Sequence, residues 1–192
     1  MATFGNTTSE SDGDQSISFW YNGDKNEYVR GIKDTPARDG YATSISAYIF
    51  RVQDDEESKC ALYDASNNSK VAVTDEETIT NTEVDWITFT FSEPPKIYKN
   101  KYYYIVLYSD APESDPGNKT YVRIKKGYTG TGYGKEIDDY PTFPSTISLS
   151  TESGSYYAIY CTYTEILTKT INNLGDGRIT TIGDGKIRPI QI

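Results

Sequence analysis

The amino-acid sequence predicts an all-β protein: an antiparallel sandwich or barrel followed by a C-terminal β-arm. Three observations carry this. Runs rich in Val, Ile, Thr, Tyr and Phe alternate apolar and polar residues with period two, and no stretch reads convincingly as a helix. Turn-forming residues interrupt these runs every ~8–12 residues, the spacing of many short strands. From Ile171 onward the chain repeats with a period of 8.

The strands expected, in order, are Ser16–Tyr21, Glu27–Lys33, Thr43–Val52, Lys59–Asp64, Lys70–Thr74, Asp85–Phe91, Tyr102–Tyr108, Thr120–Lys125, Ser145–Leu149 and Ser155–Tyr163. Turn signals lie between them: Asn22-Gly23, Asp39-Gly40, Asn67-Asn68, Glu93-Pro94-Pro95, Pro116-Gly117, and Pro141 with Pro144. The segment Trp86-Ile-Thr-Phe-Thr-Phe91 puts Ile87, Phe89 and Phe91 on one face and Trp86 on the other. Tyr102-Tyr-Tyr-Ile-Val-Leu-Tyr108 is apolar or aromatic on both faces, so it reads as a central strand. Gly127-Tyr-Thr-Gly-Thr-Gly-Tyr-Gly134 reads as a flexible contact loop. A phosphate cradle there is rejected, because no helix follows and no Walker lysine-hydroxyl pair is present.

The tail is set apart. Ile171-Asn-Asn-Leu174-Gly-Asp-Gly-Arg178 is followed by Ile179-Thr-Thr-Ile182-Gly-Asp-Gly-Lys186 and a broken third copy ending at Ile192. Two aliphatic rows result, Ile171/Ile179/Ile187 and Leu174/Ile182/Ile190. Short repeats bury such rows only by stacking on another surface. The glycines suit three-residue hairpin turns between short strands. Alternatively the tail is one extended arm, apolar on both faces, suited to insertion in a neighbour's sheet. The domain boundary expected is therefore 1–164 for the sandwich and 165–192 for an assembly arm. Subunit contacts are assigned to Ile171, Leu174, Ile179, Ile182, Ile187, Ile190 and Ile192.

A chain of 192 residues can bury one substantial core. Its hydrophobic fraction is only 36%, offset by 18 tyrosines whose rings bury area while the hydroxyls stay wet. The net charge of -9 argues against nucleic acid, whose phosphates need a basic face, and against an anionic membrane surface. No apolar run is long enough to span a bilayer. The first ten residues show neither the basic nor the apolar region of a secretory leader.

With no histidine, Ser-His-Asp and Cys-His catalysis and the usual zinc ligands are absent. Carboxylates are plentiful, so a glycosidase stays open on residue types alone, but they sit mostly in hydrated turns. The reading is a non-enzymatic protein without a cofactor. A structural calcium ion is the one metal considered, with Asp12, Asp14, Asp176 and Asp184 as oxygen donors; Asp110, Glu113 and Asp115 also offer oxygens. Cys60 and Cys161 share strand faces with Leu62 and Ile159, so both point inward. They are either inert buried thiols or, on neighbouring strands, a disulfide closing a ~100-residue loop, which contributes up to roughly 4.7 kcal/mol. Acceptor sequons at Asn6, Asn67 and Asn118 fall in expected loops or the terminus, where a glycan could sit. Trp20, Trp86, Tyr128 and Tyr133 are the outward aromatics that could stack on sugar rings; cross-strand ring pairing is the competing use.

Several stretches resemble a module of bacterial, archaeal and phage structural proteins: Phe4-Gly-Asn-Thr-Thr, Ile45-Ser-Ala-Tyr-Ile, Cys60-Ala-Leu-Tyr-Asp, Trp86-Ile-Thr-Phe-Thr-Phe-Ser-Glu-Pro-Pro95, Tyr104-Ile-Val-Leu-Tyr and Ala158-Ile-Tyr-Cys-Thr-Tyr. The resemblance spans residues 3–163 and implies a jelly-roll-like β-sandwich used in adhesion, carbohydrate contact or particle building. It carries over no catalytic position, and the octad tail lies outside it. The expected function is a structural or adhesive subunit of a virion or extracellular filament, located in the virion or at the cell surface. Its partners would be copies of itself or another structural subunit, joined through the arm. The alternative is a carbohydrate-binding module whose partner is a glycan.

Overall fold

The computed structural model describes residues 1–8, 16–18, 28–52, 55–109, 121–127, 129–137 and 140–167. Within these it is all-β and antiparallel. The strands are β1 (Ala2–Gly5), β2 (Ser16–Ser18), β3 (Tyr28–Asp34), β4 (Gly40–Val52), β5 (Glu56–Asp64), β6 (Ser69–Val73), β7 (Glu77–Ile79), β8 (Asp85–Thr90), β9 (Lys96–Ile97), β10 (Tyr103–Ser109), β11 (Tyr121–Gly127), β12 (Thr131–Glu136), β13 (Ser150–Ser153), β14 (Tyr156–Tyr157) and β15 (Ile159–Glu165).

They form two sheets. Sheet I runs β1-β15-β4-β11-β14, with β8 and β9 also on β4 and β2 on β11. Sheet II runs β13-β12-β3-β10-β5-β6, with β7 also on β5. Alternation dictates what lies between them. Ile32, Leu62, Ile105 and Leu107 of sheet II meet Ile45, Ala47, Ile49, Phe89 and Cys161 of sheet I in one buried cluster. The result is a β-sandwich-like fold. The expected central strand is β10: all seven residues are buried, and Ile105 pairs with Ile32 on one side and Leu62 on the other.

The outer faces differ. Val29, Ala61, Tyr63, Val106 and Tyr108 make the outside of sheet II apolar, and a segment carrying Ile137, Tyr140, Phe143, Ile147 and Leu149 packs over it. Tyr63 Oη donates to Pro144 O at 2.9 Å and Tyr108 Oη to Ile137 O at 2.9 Å, tying that cover down. The strand expected at Ser145–Leu149 is therefore corrected. The segment makes only an isolated bridge, Ser69 to Thr146, because its apolar residues are used as a lid over a sheet face.

Other expectations also shift. Ala2–Gly5 is a strand, held at the edge of sheet I by β15 with Phe4 opposite Cys161. The glycine- and tyrosine-rich contact loop is in large part a strand, β12, paired on both sides by β3 and β13. Its glycines serve close approach. A Cβ on Gly132 would fall 2.0 Å from Ser155 O, and one on Gly134 would fall 2.5 Å from Glu152 Oε1. At the expected domain boundary, β15 still pairs with β4, Glu165 facing Gly40, and Ile166 N donates to Asp39 O at 2.8 Å. The octad repeats lie outside the described residues.

Candidate functional site

The outer face of sheet I carries an aromatic cluster among hydroxyls. Its register explains the cluster. In the β4–β8 pair, Tyr48 faces Trp86 and Ser46 faces Thr88; in the β4–β15 pair, Ser46 faces Tyr160. Tyr48, Trp86 and Tyr160 thus converge around one serine, which is too small to separate them. The ring centroids of Tyr48 and Trp86 are 5.1 Å apart, and those of Trp86 and Tyr160 are 4.9 Å apart in an edge-to-face arrangement. Ser46 is 3% exposed and shares a 2.9 Å hydrogen bond with Thr88. Ser44, Thr90 and Thr162 continue the hydroxyl rows on the same face, Ser44 lying opposite both Thr90 and Thr162.

The three rings are half-buried, so part of each meets solvent. Ring contacts of this kind stabilise a sheet by roughly 0.5–1.5 kcal/mol per pair. They also offer a tilted aromatic surface flanked by neutral groups that donate and accept hydrogen bonds. Such a surface suits the apolar faces and hydroxyl edges of sugar rings. Trp86 points away from Phe89 and Phe91, as its parity predicts. Tyr48 and Tyr160 were missed at the sequence level, although Tyr160 stands next to inward-facing Ile159 and Cys161 and so had to face outward.

The other aromatic candidate lies elsewhere. Tyr133 sits on β12, on the outside of sheet II, with its ring 5.0 Å from Tyr104 and Lys33 Nζ 5.4 Å above it. It is a half-buried strand residue, and its predicted loop position is corrected by the glycine clearances above. Trp20 and Tyr128 lie outside the described residues.

Cys60 and Cys161 both face the core, as predicted, and are free thiols. They belong to different sheets rather than to neighbouring strands, Cys60 on β5 and Cys161 on β15. Burial pushes both thiols well above their ordinary range, and for Cys60 the nearby Cys161 adds to the shift. Neither is activated as a nucleophile.

Asn6 does not fit a glycan site. It is 9% exposed, its Nδ2 donates to Tyr157 O at 3.1 Å, and its Oδ1 accepts from Thr8 Oγ1 at 2.6 Å. This sequon is a local turn that docks the N-terminal strand. Asn67 is exposed, its Oδ1 accepting from Ser69 N at 3.0 Å. Asn118 lies outside the described residues, as do the calcium candidates Asp12, Asp14, Asp176 and Asp184. Among the described residues no group of acidic or cysteine side chains could hold a metal ion.

Two partly buried ionic clusters join strands and turns. Glu152 Oε1 lies 3.5 Å from Arg30 Nε, and Tyr157 Oη donates to Glu152 Oε2. Burial drives the Tyr157 phenol strongly upward. Asp64 accepts from Lys101 Nζ at 2.6 Å and from Ser66 N at 3.0 Å. Burial would raise its pKa, but the hydrogen bonds from Lys101 and Ser66 outweigh that and hold the carboxyl below the usual range. Both carboxylates are thus engaged in joining strands and turns.

Compared with known proteins, the chain matches no family model, and no curated protein matches it in sequence.

Proposed function

We propose that this chain is a non-enzymatic structural or adhesive subunit, built on a jelly-roll-like sandwich, that contacts carbohydrate through the outer face of sheet I. One observation supports this above the others. Tyr48, Trp86 and Tyr160 meet over Ser46, with serine and threonine rows to one side and Phe50, paired with Arg123, to the other. An aromatic surface flanked by hydroxyls gains from stacking on a sugar ring and from hydrogen bonds to its edge.

Affinity electrophoresis through gels containing neutral polysaccharides tests the reading. The wild-type chain is retarded by at least one of them. Trp86→Val, which keeps a residue suited to a strand, abolishes the retardation while the variant still unfolds cooperatively, at a cost of about 1–3 kcal/mol for the two ring pairs lost. Equal mobility in every gel, or retardation that survives the substitution, overturns it.

A second reading rests on the aliphatic rows of the tail. At the last described residue, Leu167 is 76% exposed, and in the sequence the aliphatic rows follow from Ile171. In this reading the residues after 167 pair with another copy or another structural subunit, giving a ring or an open filament. Light scattering on full-length chain and on a variant ending at residue 167 separates the outcomes: oligomer against monomer supports the arm, and two monomers sink it.

A further inference from the structure

A second binding feature lies on the other sheet and does not depend on Trp86. Between the end of β3 and the turn that enters β10, a cleft is lined by Lys33, Ser66, Lys99, Lys101 and Tyr102. Its construction follows from register. Lys33 faces Tyr104 across β3 and β10, and Tyr102 precedes Tyr104 by two residues. Lys33 Nζ accordingly stands 5.8 Å from the Tyr102 ring centroid and 5.4 Å from that of Tyr133. The turn places Asn100 at φ 60, and Lys101 N donates to Tyr98 O at 3.2 Å, which sets Lys99 and Lys101 beside the same cleft.

The charge balance here runs against that of the whole chain. The protein carries 28 acidic and 19 basic residues, yet three lysines line this cleft. Asp64 neutralises one of them, Lys101, at 2.6 Å. Asp39 accepts from the backbone N–H of Lys99 at 2.7 Å, not from its ammonium. Among the described residues, neither Lys33 nor Lys99 forms an ion pair. Beside them the Tyr102 ring is 55% exposed. Two lysines without an ion pair lining one cleft, with an open aromatic ring beside Lys33, are complementary to a sugar bearing an anionic group.

We propose that this cleft binds an acidic saccharide, its carboxylate or sulfate ester between Lys33 and Lys99 and its ring against Tyr102. The shared chemistry is a sugar-borne anion, and the probes separate its sources. Isothermal titration calorimetry at low salt would compare an oligogalacturonate tetramer, a sulfated disaccharide, a neutral cello-oligosaccharide and inorganic sulfate. At least one of the two acidic saccharides binds, and more tightly than inorganic sulfate. That affinity falls roughly tenfold or more in the Lys33→Met/Lys99→Met double variant, as loss of charge-assisted hydrogen bonds requires. It also falls in Tyr102→Ala, and it is unchanged in Trp86→Val.

Circular dichroism establishes that the variants are folded, and Tyr102→Ala is the second test should the lysine pair perturb the turn. Absence of heat with both acidic saccharides overturns the proposal. So does affinity that survives the double variant, or inorganic sulfate binding as tightly as the saccharides. Loss of acidic-saccharide binding in Trp86→Val would place the ligand on sheet I instead and overturn this cleft. Failure of the neutral polysaccharide test leaves the present experiment intact, so the two readings fall separately.

Discussion

Replacing Gly132 by alanine should destabilise the protein, and replacing Gly127 should not. Both lie in the same glycine-rich stretch, so composition alone does not distinguish them. On Gly132, a Cβ would fall 2.0 Å from the backbone oxygen of Ser155 and 2.6 Å from Tyr157 Cε2. The first neighbour is main chain and the second belongs to a wholly buried ring that donates to Glu152, so neither can swing aside. Relief requires β12 to move by about 1 Å away from its neighbours. Overpacking of this sort costs about 1–3 kcal/mol. The reduced freedom of the unfolded chain returns ~0.4–1 kcal/mol. The net expectation is a loss of about 1–2 kcal/mol, or roughly 2–8 °C in Tm for a chain of this size. On Gly127 the nearest atom to a Cβ is Tyr156 O at 4.0 Å, an ordinary contact. There only the unfolded-state effect remains, and stability should hold or rise slightly. Urea and thermal unfolding followed by circular dichroism measure both. Equal stability of Gly132→Ala and Gly127→Ala would show that β12 does not approach Ser155 as described.

Further outcomes follow from the same packing. Phe89 is fully buried between the sheets, so Phe89→Ala should cost about 3–5 kcal/mol in urea unfolding; a loss near zero would mean the sheets do not meet there. Asp64→Asn should cost about 1–3 kcal/mol near neutral pH, because it removes the charged acceptor of Lys101. The native Asp64 carboxyl is held below its unfolded value. Its contribution is thus present above the unfolded pKa of about 3.9 and lost as pH falls through the native value, so wild type and variant should converge once the pH lies below that native value. A gap that persists at low pH would contradict the pairing. Both cysteines should resist Ellman's reagent in the native protein and react together on denaturation; a denatured protein with no titratable thiol would disprove the free state. In a glycosylating host, peptide mapping should find folded protein modified at Asn67 and never at Asn6.

The strands that were legible are those whose own residues state their burial. Trp86 to Phe91 alternates because one face meets the core and the other does not. Tyr103 to Tyr108 is apolar or aromatic throughout because the sandwich covers one face and the segment carrying Ile137, Tyr140, Phe143, Ile147 and Leu149 the other. The strands that were missed take their burial from distant partners. Ala2–Gly5 is short, and it is a strand because β15 lies beside it. In β12 the glycines look like loop residues, but they are clearances for Glu152, Ser155 and Tyr157, which sequence spacing does not reveal. Ile147 and Leu149 carry a strand-like composition and act instead as a cover.

Tyrosine chemistry shows the same limit. The expectation of buried rings with wet hydroxyls fits a half-exposed sheet, yet Tyr63, Tyr103, Tyr108, Tyr157 and Tyr163 are almost wholly buried. Several of their hydroxyls are used inside. Tyr63 and Tyr108 donate to the covering segment, Tyr157 donates to Glu152, and Tyr103 accepts from Tyr98 N at 3.1 Å. A low aliphatic fraction is thus compensated by aromatic area, four of these five hydroxyls being satisfied by backbone or carboxylate groups and that of Tyr163 being buried without a partner among the described residues. For the candidate face, Trp86 was legible from parity alone. Tyr48 and Tyr160 needed the register of three strands, and Lys33 needed the pairing of β3 with β10.

The unequal treatment of the two outer faces gives the sugar-contact reading its force. Sheet II presents Val29, Ala61, Tyr63, Val106 and Tyr108 outward, and the chain supplies a cover for them. Sheet I presents Ser44, Thr88, Thr90 and Thr162, which water can satisfy, and none of the described residues forms a comparable lid over them. Tyr48, Trp86 and Tyr160, with Phe50 beyond them, interrupt these hydroxyl rows. Cross-strand pairing accounts for Tyr48 opposite Trp86, since such pairs are common on wet sheets. It does not require Tyr160, which reaches Trp86 only over an intervening strand that carries a serine at that point. Three rings gathered across three strands make an aromatic surface wider than any one pair. Its half-burial fixes the rings before a ligand arrives, so little side-chain entropy remains to be lost on binding.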